Sequence, residues 1–486
     1  MPRSCRIVCT IGPSSSSPEV LEGLLRSGMN VARLNFSHGS HDSHRATVSA
    51  LRGVSESTGI PVALLQDLQG HKVRVGSSEE PICLEEGARI LVGHGKEITK
   101  ERLGLDYRTL RDQVGVGHRL YLDDGLIELV VRDHDGDDLV CEVEVPGDLK
   151  SRKGVIFPDS DLRFPLIADK DLEDAKFGAE VGVDFVAMSF VRSATEIFEM
   201  RVRLADWGAK ECSIVAKVED RVGIENIDEI LAAADAVLIA RGDMGVTLPR
   251  EEVPGVQKRI IHSANARGVP VITATQMLET MTTAKKPTRA EVSDVHNAVA
   301  DGTDAVMLSG ETATGRDPVN VVQEMDRICR AAEELADEAG QDVRGKEGLH
   351  DKMAEAAAVL AESLGARAIV SLSLEGSSLR ALSSARPSVP VWGVLSDEAV
   401  YRRLLLHRGL RLKLLPNLSN EDSKVDPILD LLRDEGHVEP GDRIVALEGR
   451  VRPHSRRTLR VCQVAESDGE RDLRKETEAA RPIAQD

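Results

Sequence analysis

In "SIVAKVED" (213–220), Lys217 and Glu219 stand one residue apart, so on a strand both side chains face the same way. Arg33, Asn35 and Ser37 share that spacing in "MNVARLNFS" (29–37), and Asp243 closes the run "AVLIARGD" (236–243). Glu219 and Asp243 are hard oxygen donors, suited to Mg2+ or Mn2+ and not to zinc. Arg33, Arg74 and Lys217 supply fixed positive charge around such a metal. Together they match a substrate that carries phosphate and carboxylate, with negative charge spread over a transferring phosphoryl group. The turn after "ARGD" can present the backbone N–H groups of Gly242 and Asp243 to an anion. The chain contains no GxxxxGK[ST] and no strand-linked GxGxxG. Nucleotide phosphates, if bound, would therefore be held by the metal and by side chains.

These residues need a frame that brings them to one place. Eight short apolar runs end in polar residues: "RIVCTIG" (6–12), "MNVARLNFS" (29–37), "VALLQDL" (62–68), "DFVAMSFV" (184–191), "SIVAKVE" (213–219), "AVLIARGD" (236–243), "PVITATQM" (270–277) and "AVMLSGET" (305–312). Most intervals between them read as helix, which predicts a parallel sheet covered on both sides. Eight such units closed on themselves give a (β/α)8 barrel, whose site lies at the C-terminal strand ends. The residues there are Arg33, Asn35, Ser37, Asp67, Lys217, Glu219, Arg241, Asp243, Thr273, Thr275, Ser309 and Glu311. Charges converging on one rim cost several kcal/mol each, roughly, unless they pair with one another or with a ligand.

About a hundred residues separate the third run from the fourth, and they hold short alternating runs with turn signals. This predicts a small β-barrel domain inserted after strand three, acting as a lid, at 76–157. The barrel then takes 1–75 and 158–336. A polar linker follows at 337–348, then an open α/β domain at 349–465 and a charged, disordered tail at 466–486.

With 486 residues, the chain exceeds one ordinary core. No apolar run approaches the ~20 residues of a membrane helix, and the opening residues lack a signal-peptide pattern, which leads to the expectation of a cytoplasmic location. Seven dispersed cysteines read as reduced, buried thiols. A net charge of −19 argues against nucleic acid and against anionic membranes as partners. His38, His41 and His44 form an HxxHxxH string that is read as caps and surface residues, not as a metal site. "GHGK" (93–96) is read as a turn, and Trp207 and Trp392 as core or interface residues.

The strings "NVARLNFSHG", "SRKGV", "AKVE", "ARGDMGV", "TATQMLETM", "PTRAEVSDV" and "DGTDAVMLSGETATG" resemble the motifs of pyruvate kinases, over nearly the whole chain. The resemblance implies the final step of glycolysis, phosphoryl transfer from phosphoenolpyruvate to ADP giving pyruvate and ATP. It implies that Arg33 contacts the phosphoryl group and that Lys217 stabilises both that group and the enolate. Glu219 and Asp243 would hold Mg2+, with Gly242, Asp243 and Thr275 binding substrate. Asn35, Phe36, Ser37, His38, Arg74 and Lys153 would face the nucleotide, and Thr275, Ser309 or a water chain would serve enolate protonation. A homotetramer is implied, built through the barrel and C-terminal domains. Asn35, Ser37, Asp67 and the Leu68 carbonyl match the family's monovalent-cation site.

Several positions depart from the family pattern. Lys72 stands where potassium-requiring members commonly have Glu, so a tethered ammonium near those oxygens could replace K+. His71 stands where Pro is usual, and Ile156 where Asn is common. In the effector loop, "SLEGSS" (373–378) places Glu375 where a phosphate-binding hydroxyl is expected, which predicts weak or no response to fructose bisphosphate. Arg450, Arg452, Arg456 and Arg457 nevertheless offer charge to an anionic effector. Rival readings are a barrel lyase or aldolase acting on pyruvate or phosphoenolpyruvate, and a silent metabolite sensor.

Overall fold

The computed structural model of the chain describes residues 3–123, 125–336, 348–415, 425–448 and 458–465. The linker expected at 337–348 (except Gly348), the tail at 466–486, and Arg450, Arg452, Arg456 and Arg457 lie outside the described residues. The chain divides into two units, Cys5–Glu333 and a C-terminal unit from Glu334 that includes the first four residues.

In the first unit all eight expected strands form: β1 (Arg6–Thr10), β2 (Val31–Asn35), β3 (Ala63–Asp67), β4 (Phe185–Met188), β5 (Ser213–Val218), β6 (Ala236–Ala240), β7 (Val271–Ala274) and β8 (Ala305–Leu308). They close a parallel barrel in the order β1-β8-β7-β6-β5-β4-β3-β2. Strands buried on both faces need apolar residues at every position, which is why they read as continuous runs. Leu21, Leu24 and Leu25 of helix Pro18–Arg26, and Val48, Leu51 and Val54 of helix His41–Thr58, pack on the outside of the sheet. Ser17, Ser40 and Thr288 cap the helices they precede through their side-chain oxygens.

Two runs are shorter than their sequence suggests. "DFVAMSFV" leaves the sheet at Met188, because Phe190 turns the backbone with φ of 54°. "AVLIARGD" ends at Ala240, and Arg241 opens the helix Arg241–Thr247.

At the opposite end of the barrel, one polar residue ahead of a strand repeatedly caps the neighbouring strand. Asn30 accepts the Ile7 N–H at 3.0 Å, Asp184 the Leu64 N–H at 2.8 Å, Asp235 the Ile214 N–H at 2.8 Å, and Asp304 the Val271 N–H at 2.9 Å. Each such side chain fixes the register between two adjacent strands before the ladder begins.

The segment after β3 folds into a seven-stranded mixed sheet with a separate two-stranded ribbon. Its first strand, Val73–Arg74, pairs with Gly154–Ile156 and so belongs to this sheet ahead of residue 76. Val92, Leu103, Leu105, Leu120, Leu122 and Leu129 give it a core of its own. Gly93 and His94 lie in the strand Arg89–His94, so "GHGK" is a strand end, not simply a turn. At the tip of the lid, a Cβ on Gly125 would lie 3.6 Å from Val246, placing the tip against the helix Arg241–Thr247.

The C-terminal unit holds a five-stranded sheet in the order Leu410–Leu414, Val391–Leu395, Ala368–Leu372, Arg443–Glu448, Thr458–Gln463. Four strands are parallel and the last is antiparallel. That edge strand was not expected, because "TLRVCQ" is mostly exposed and lacks an apolar run. Trp392 is buried in this unit against His437, and Trp207 packs on the barrel core. None of the seven cysteines is in a disulfide; five are buried, but Cys83 is exposed and Cys462 half-exposed, contrary to the expectation for the whole set.

The strand-capping role of Asp304 is open to measurement. Asp304→Ala leaves the buried Val271 N–H without its acceptor, so the urea-unfolding free energy of the barrel should fall by about 1–3 kcal/mol.

Candidate active site

Register brings the charged residues together at the C-terminal rim. Asn35 on β2 and Ala187 on β4 flank Asp67, the last residue of β3. Lys217, two residues before Glu219, points into the barrel from β5. Asp67 takes Arg33 Nε on one carboxylate oxygen at 2.6 Å and Lys217 Nζ on the other at 3.0 Å. Lys217 also lies 3.0 Å from Glu219 Oε1, and Arg33 Nη1 donates to Thr10 Oγ1 at 2.8 Å. Asp67 and Glu219 are both 1% exposed.

Burial alone would raise the Asp67 carboxyl, but Arg33 and Lys217 outweigh it and hold it below the usual range. Burial alone would lower Lys217, and Asp67 with Glu219 reverses this, holding the ammonium well above its ordinary value. Burial pushes Glu219 up to about 7, opposed by Lys217 and reinforced by Asp243 and Asp67. The site thus has one buried cation, Lys217, a part-buried one, Arg33, two buried carboxylates, and a third carboxylate whose field crowds Glu219. Such a cluster has a use for one more positive charge. Glu219 and Asp243 are oxygen donors from successive strand ends, and they fit a divalent ion that keeps its remaining positions for water and substrate.

Thr275 follows β7 with φ of 69°, and Gln276 continues the turn at 53°. Positive φ in a β-branched residue is strained and needs support. Arg241 provides it: Nε donates to the Ala274 carbonyl at 3.1 Å and Nη2 to the Thr275 carbonyl at 2.6 Å, while Nη1 pairs with Asp294 at 2.7 Å. Thr275 Oγ1 accepts the Gly242 N–H at 2.8 Å, so that amide is already engaged within the chain. Ser309 follows β8, where its own N–H is held by Glu311.

The residues expected around a nucleotide and a monovalent ion divide into two groups. Asn35, Ser37, Asp67 and Leu68 gather at the ends of β2 and β3. Asn35 Oδ1 accepts the Ser37 N–H at 3.1 Å, and the Leu68 carbonyl accepts the Ser189 hydroxyl at 2.8 Å. Phe36 is buried, stacked 4.0 Å from the His44 ring, and its backbone is engaged too: its N–H donates to the Asp67 carbonyl at 2.9 Å and its carbonyl accepts Lys170 Nζ at 3.0 Å. His44 donates to the His38 carbonyl, and His41 stacks on Phe177 and bonds Asp174 at 2.8 Å. The histidine string is thus a packing and capping device. Arg74 and Lys153 sit at the root of the lid, Arg74 bonding the Arg152 carbonyl and Lys153 pairing with Asp123 at 2.6 Å.

Lys72 was expected beside the Asp67 oxygens. It is exposed instead, and both oxygens are taken by Arg33 and Lys217. His71, unexplained from sequence, stacks on Phe164 at 4.7 Å, joining the two chain crossings between barrel and lid. Ile156 pairs with Tyr121 in the lid sheet; nothing else accounts for it.

Sequence reading missed Ser189, Phe190 and Thr10. The Phe190 N–H donates to Glu219 Oε2 at 2.7 Å. Ser189 and Phe190 were hidden because "DFVAMSFV" looks like an uninterrupted strand.

The loop after Asp67 rests on Asp171, which accepts the Gly70 N–H at 3.0 Å and is pushed up to about 6 by burial. Its unfolded value is about 4. Between those values the folded state binds more protons, so stability should fall as pH rises through that window. Asp171→Asn should therefore raise the urea midpoint relative to the parent chain at pH 8, by roughly 2 kcal/mol in stability, and leave it unraised near pH 4.

The sequence was also compared with known proteins. A family model described as pyruvate kinase, barrel domain, matches residues 2–322, and one for the pyruvate kinase alpha/beta domain matches residues 351–462. A pyruvate kinase of Geobacillus stearothermophilus is 42% identical over 459 residues, covering 92% of this chain and 78% of that protein. Pyruvate kinase 2 of a Synechocystis species is 40% identical over 455 residues, with 92% and 77% covered. One from Staphylococcus aureus is 40% identical over 460 residues, with 92% and 78% covered. With the barrel, the inserted sheet and the charged rim all in place, the chain belongs to the pyruvate kinase family.

Proposed function

We propose that this chain is a phosphotransferase that moves the phosphoryl group of phosphoenolpyruvate to ADP, yielding pyruvate and ATP. The observation that carries the reading is Lys217, buried between Asp67 and Glu219 with Arg33 across the same carboxylate. Phosphoryl transfer asks for positioning and charge neutralisation more than for covalent catalysis. Arg33 would meet the phosphoryl oxygens, and Lys217 would follow the charge from the phosphoryl group onto the enolate oxygen. Glu219 and Asp243 would hold Mg2+ or Mn2+, which when bound supplies further neutralisation of the phosphoryl oxygens. Asp243 and Thr275 would orient the substrate, joined by the Gly242 amide once substrate displaces its bond to Thr275 Oγ1, and Thr275, Ser309 or a water chain would hand a proton to the enolate carbon. Asn35, Phe36, Ser37, His38, Arg74 and Lys153 would receive the nucleotide under the lid, whose closure would exclude water. The family resemblance also carries a homotetramer and a cytoplasmic location; among the described residues no helix is long and apolar enough to cross a membrane.

Two finer features belong to the same proposal. The enzyme works without K+, because the groups of the monovalent-cation site already have partners within the chain, save the Ser37 hydroxyl. Lys72 is exposed four residues beyond Leu68, and its long side chain would keep an ammonium within reach of that site. The response to fructose bisphosphate is weak or absent. Glu375 is exposed in the loop before helix Ser377–Ala385, while the hydroxyls of Ser371 and Ser378 are buried against each other at 3.0 Å.

Coupled measurement of ADP-dependent pyruvate formation tests the activity, and absence of ATP formation would reject it. In tetramethylammonium buffer the parent enzyme should keep most of its rate, with no gain from millimolar fructose bisphosphate. Lys72→Glu should acquire a potassium requirement, its rate falling at least about tenfold without K+ and recovering with it. A parent enzyme that stops in potassium-free buffer would refute the cation proposal.

A further inference from the structure

The turn after β4 has a geometry that strand termination does not require. Phe190 is a bulky residue held at φ of 54°. A residue in that region is strained and persists only where its surroundings enforce it. What the turn achieves is visible in two contacts. It aims the Phe190 N–H at Glu219, and it sets Ser189 Oγ 2.5 Å from Lys217 Nζ.

A lysine ammonium has three N–H donors. Those of Lys217 have Asp67 at 3.0 Å, Glu219 at 3.0 Å and Ser189 at 2.5 Å. Two of the acceptors are carboxylates with other partners: Asp67 also holds Arg33, and Glu219 belongs to the proposed metal pair. Ser189 is the neutral acceptor among the three. Its polarity is set, because its own O–H donates to the Leu68 carbonyl at 2.8 Å and its lone pairs are left for Lys217. Donation to a carbonyl strengthens the hydroxyl oxygen as an acceptor. The contact is also sterically enforced. Gly70, at φ of 72°, lies over Ser189 so closely that an added Cβ would stand 2.7 Å from Ser189 Cβ.

We propose that Ser189 is a positioning residue for Lys217: it holds the ammonium in the transfer geometry while the carboxylates serve their other partners, and it ties the ammonium to the Leu68 carbonyl. The proposal rests on the reading of Lys217 as the cation that follows the phosphoryl group and the enolate. A hydroxyl that merely satisfied the Leu68 carbonyl would affect stability and leave turnover alone.

The test uses the full-length enzyme with Mg2+, as the parent, Ser189→Ala, Ser189→Cys and Lys217→Ala forms. Steady-state kinetics for phosphoenolpyruvate and ADP are measured beside exchange of the pyruvate methyl protons in D2O, followed by NMR. In that exchange a C3 proton leaves, its electron pair forms the enolate, and a deuteron returns to carbon. Inorganic phosphate stands in the phosphoryl position. Ser189→Ala should lower kcat about 10- to 100-fold, with KM for either substrate changed less than about threefold. Exchange should slow in the same proportion, because both reactions load charge on the enolate oxygen. Ser189→Cys, which keeps a weak acceptor, should fall between parent and Ser189→Ala, and it carries the test if the alanine form does not fold. Lys217→Ala should lose more than either. An active parent with a serine variant of unchanged kcat and unchanged exchange overturns the role of Ser189. A loss seen only in KM or in the unfolding midpoint overturns it equally. An inactive parent overturns instead the functional reading on which the role is built.

Discussion

The carboxylate of Asp67 is the constraint on which the site depends. It sits at the end of β3, almost wholly buried, with Arg33 on one oxygen and Lys217 on the other. Removing two cations from water is costly, and a single carboxylate placed between them offsets much of that cost only if its geometry is fixed. Glu219 completes the charge balance from the next strand but one. Burial above all, and then the negative field of Asp243 and Asp67, holds Glu219 toward its protonated form against Lys217. The same excess of negative charge that favours a proton there would favour a divalent cation.

The barrel divides stability and chemistry between its two ends. At the N-terminal end, Asn30, Asp184, Asp235 and Asp304 cap neighbouring strands and lock their register. At the C-terminal end the backbone is bent where function needs it, at Phe190, Thr275 and Gln276. Those bends persist because Arg241 grips the carbonyls of the β7 turn and Glu219 grips the N–H of the β4 turn. Strain of this kind is tolerated only on a scaffold whose register is secured elsewhere.

Insertion of the lid after β3 puts a hinge immediately beside Asp67. The outgoing crossing passes Gly70, which rests on Asp171, and His71, which stacks on Phe164 of the returning crossing. Proline would stiffen one crossing through its own ring; His71 instead pins the two crossings to each other. At the far end the lid tip lies on the helix that carries Asp243. The lid thus borders the charged rim from two sides.

Much of this was legible in the residues themselves. Continuous apolar runs ending in Lys217, Glu219, Asp67 and Arg33 determined a closed parallel barrel with a charged rim, because strands buried on both faces leave polar residues nowhere else to go. Period-two spacing determined that Lys217 and Glu219 share a face. What the sequence could not carry was partner choice. Whether Asp67 meets Lys72, five residues away, or Lys217, 150 positions on, depends on strand register and on which way the chain leaves Gly70. Ser189 and Phe190 were invisible for a related reason: a turn made by one positive φ inside an apolar run changes no residue type. Types and spacing set which groups must be buried together, and only the tertiary structure, through register and local backbone strain, decided which of them touch.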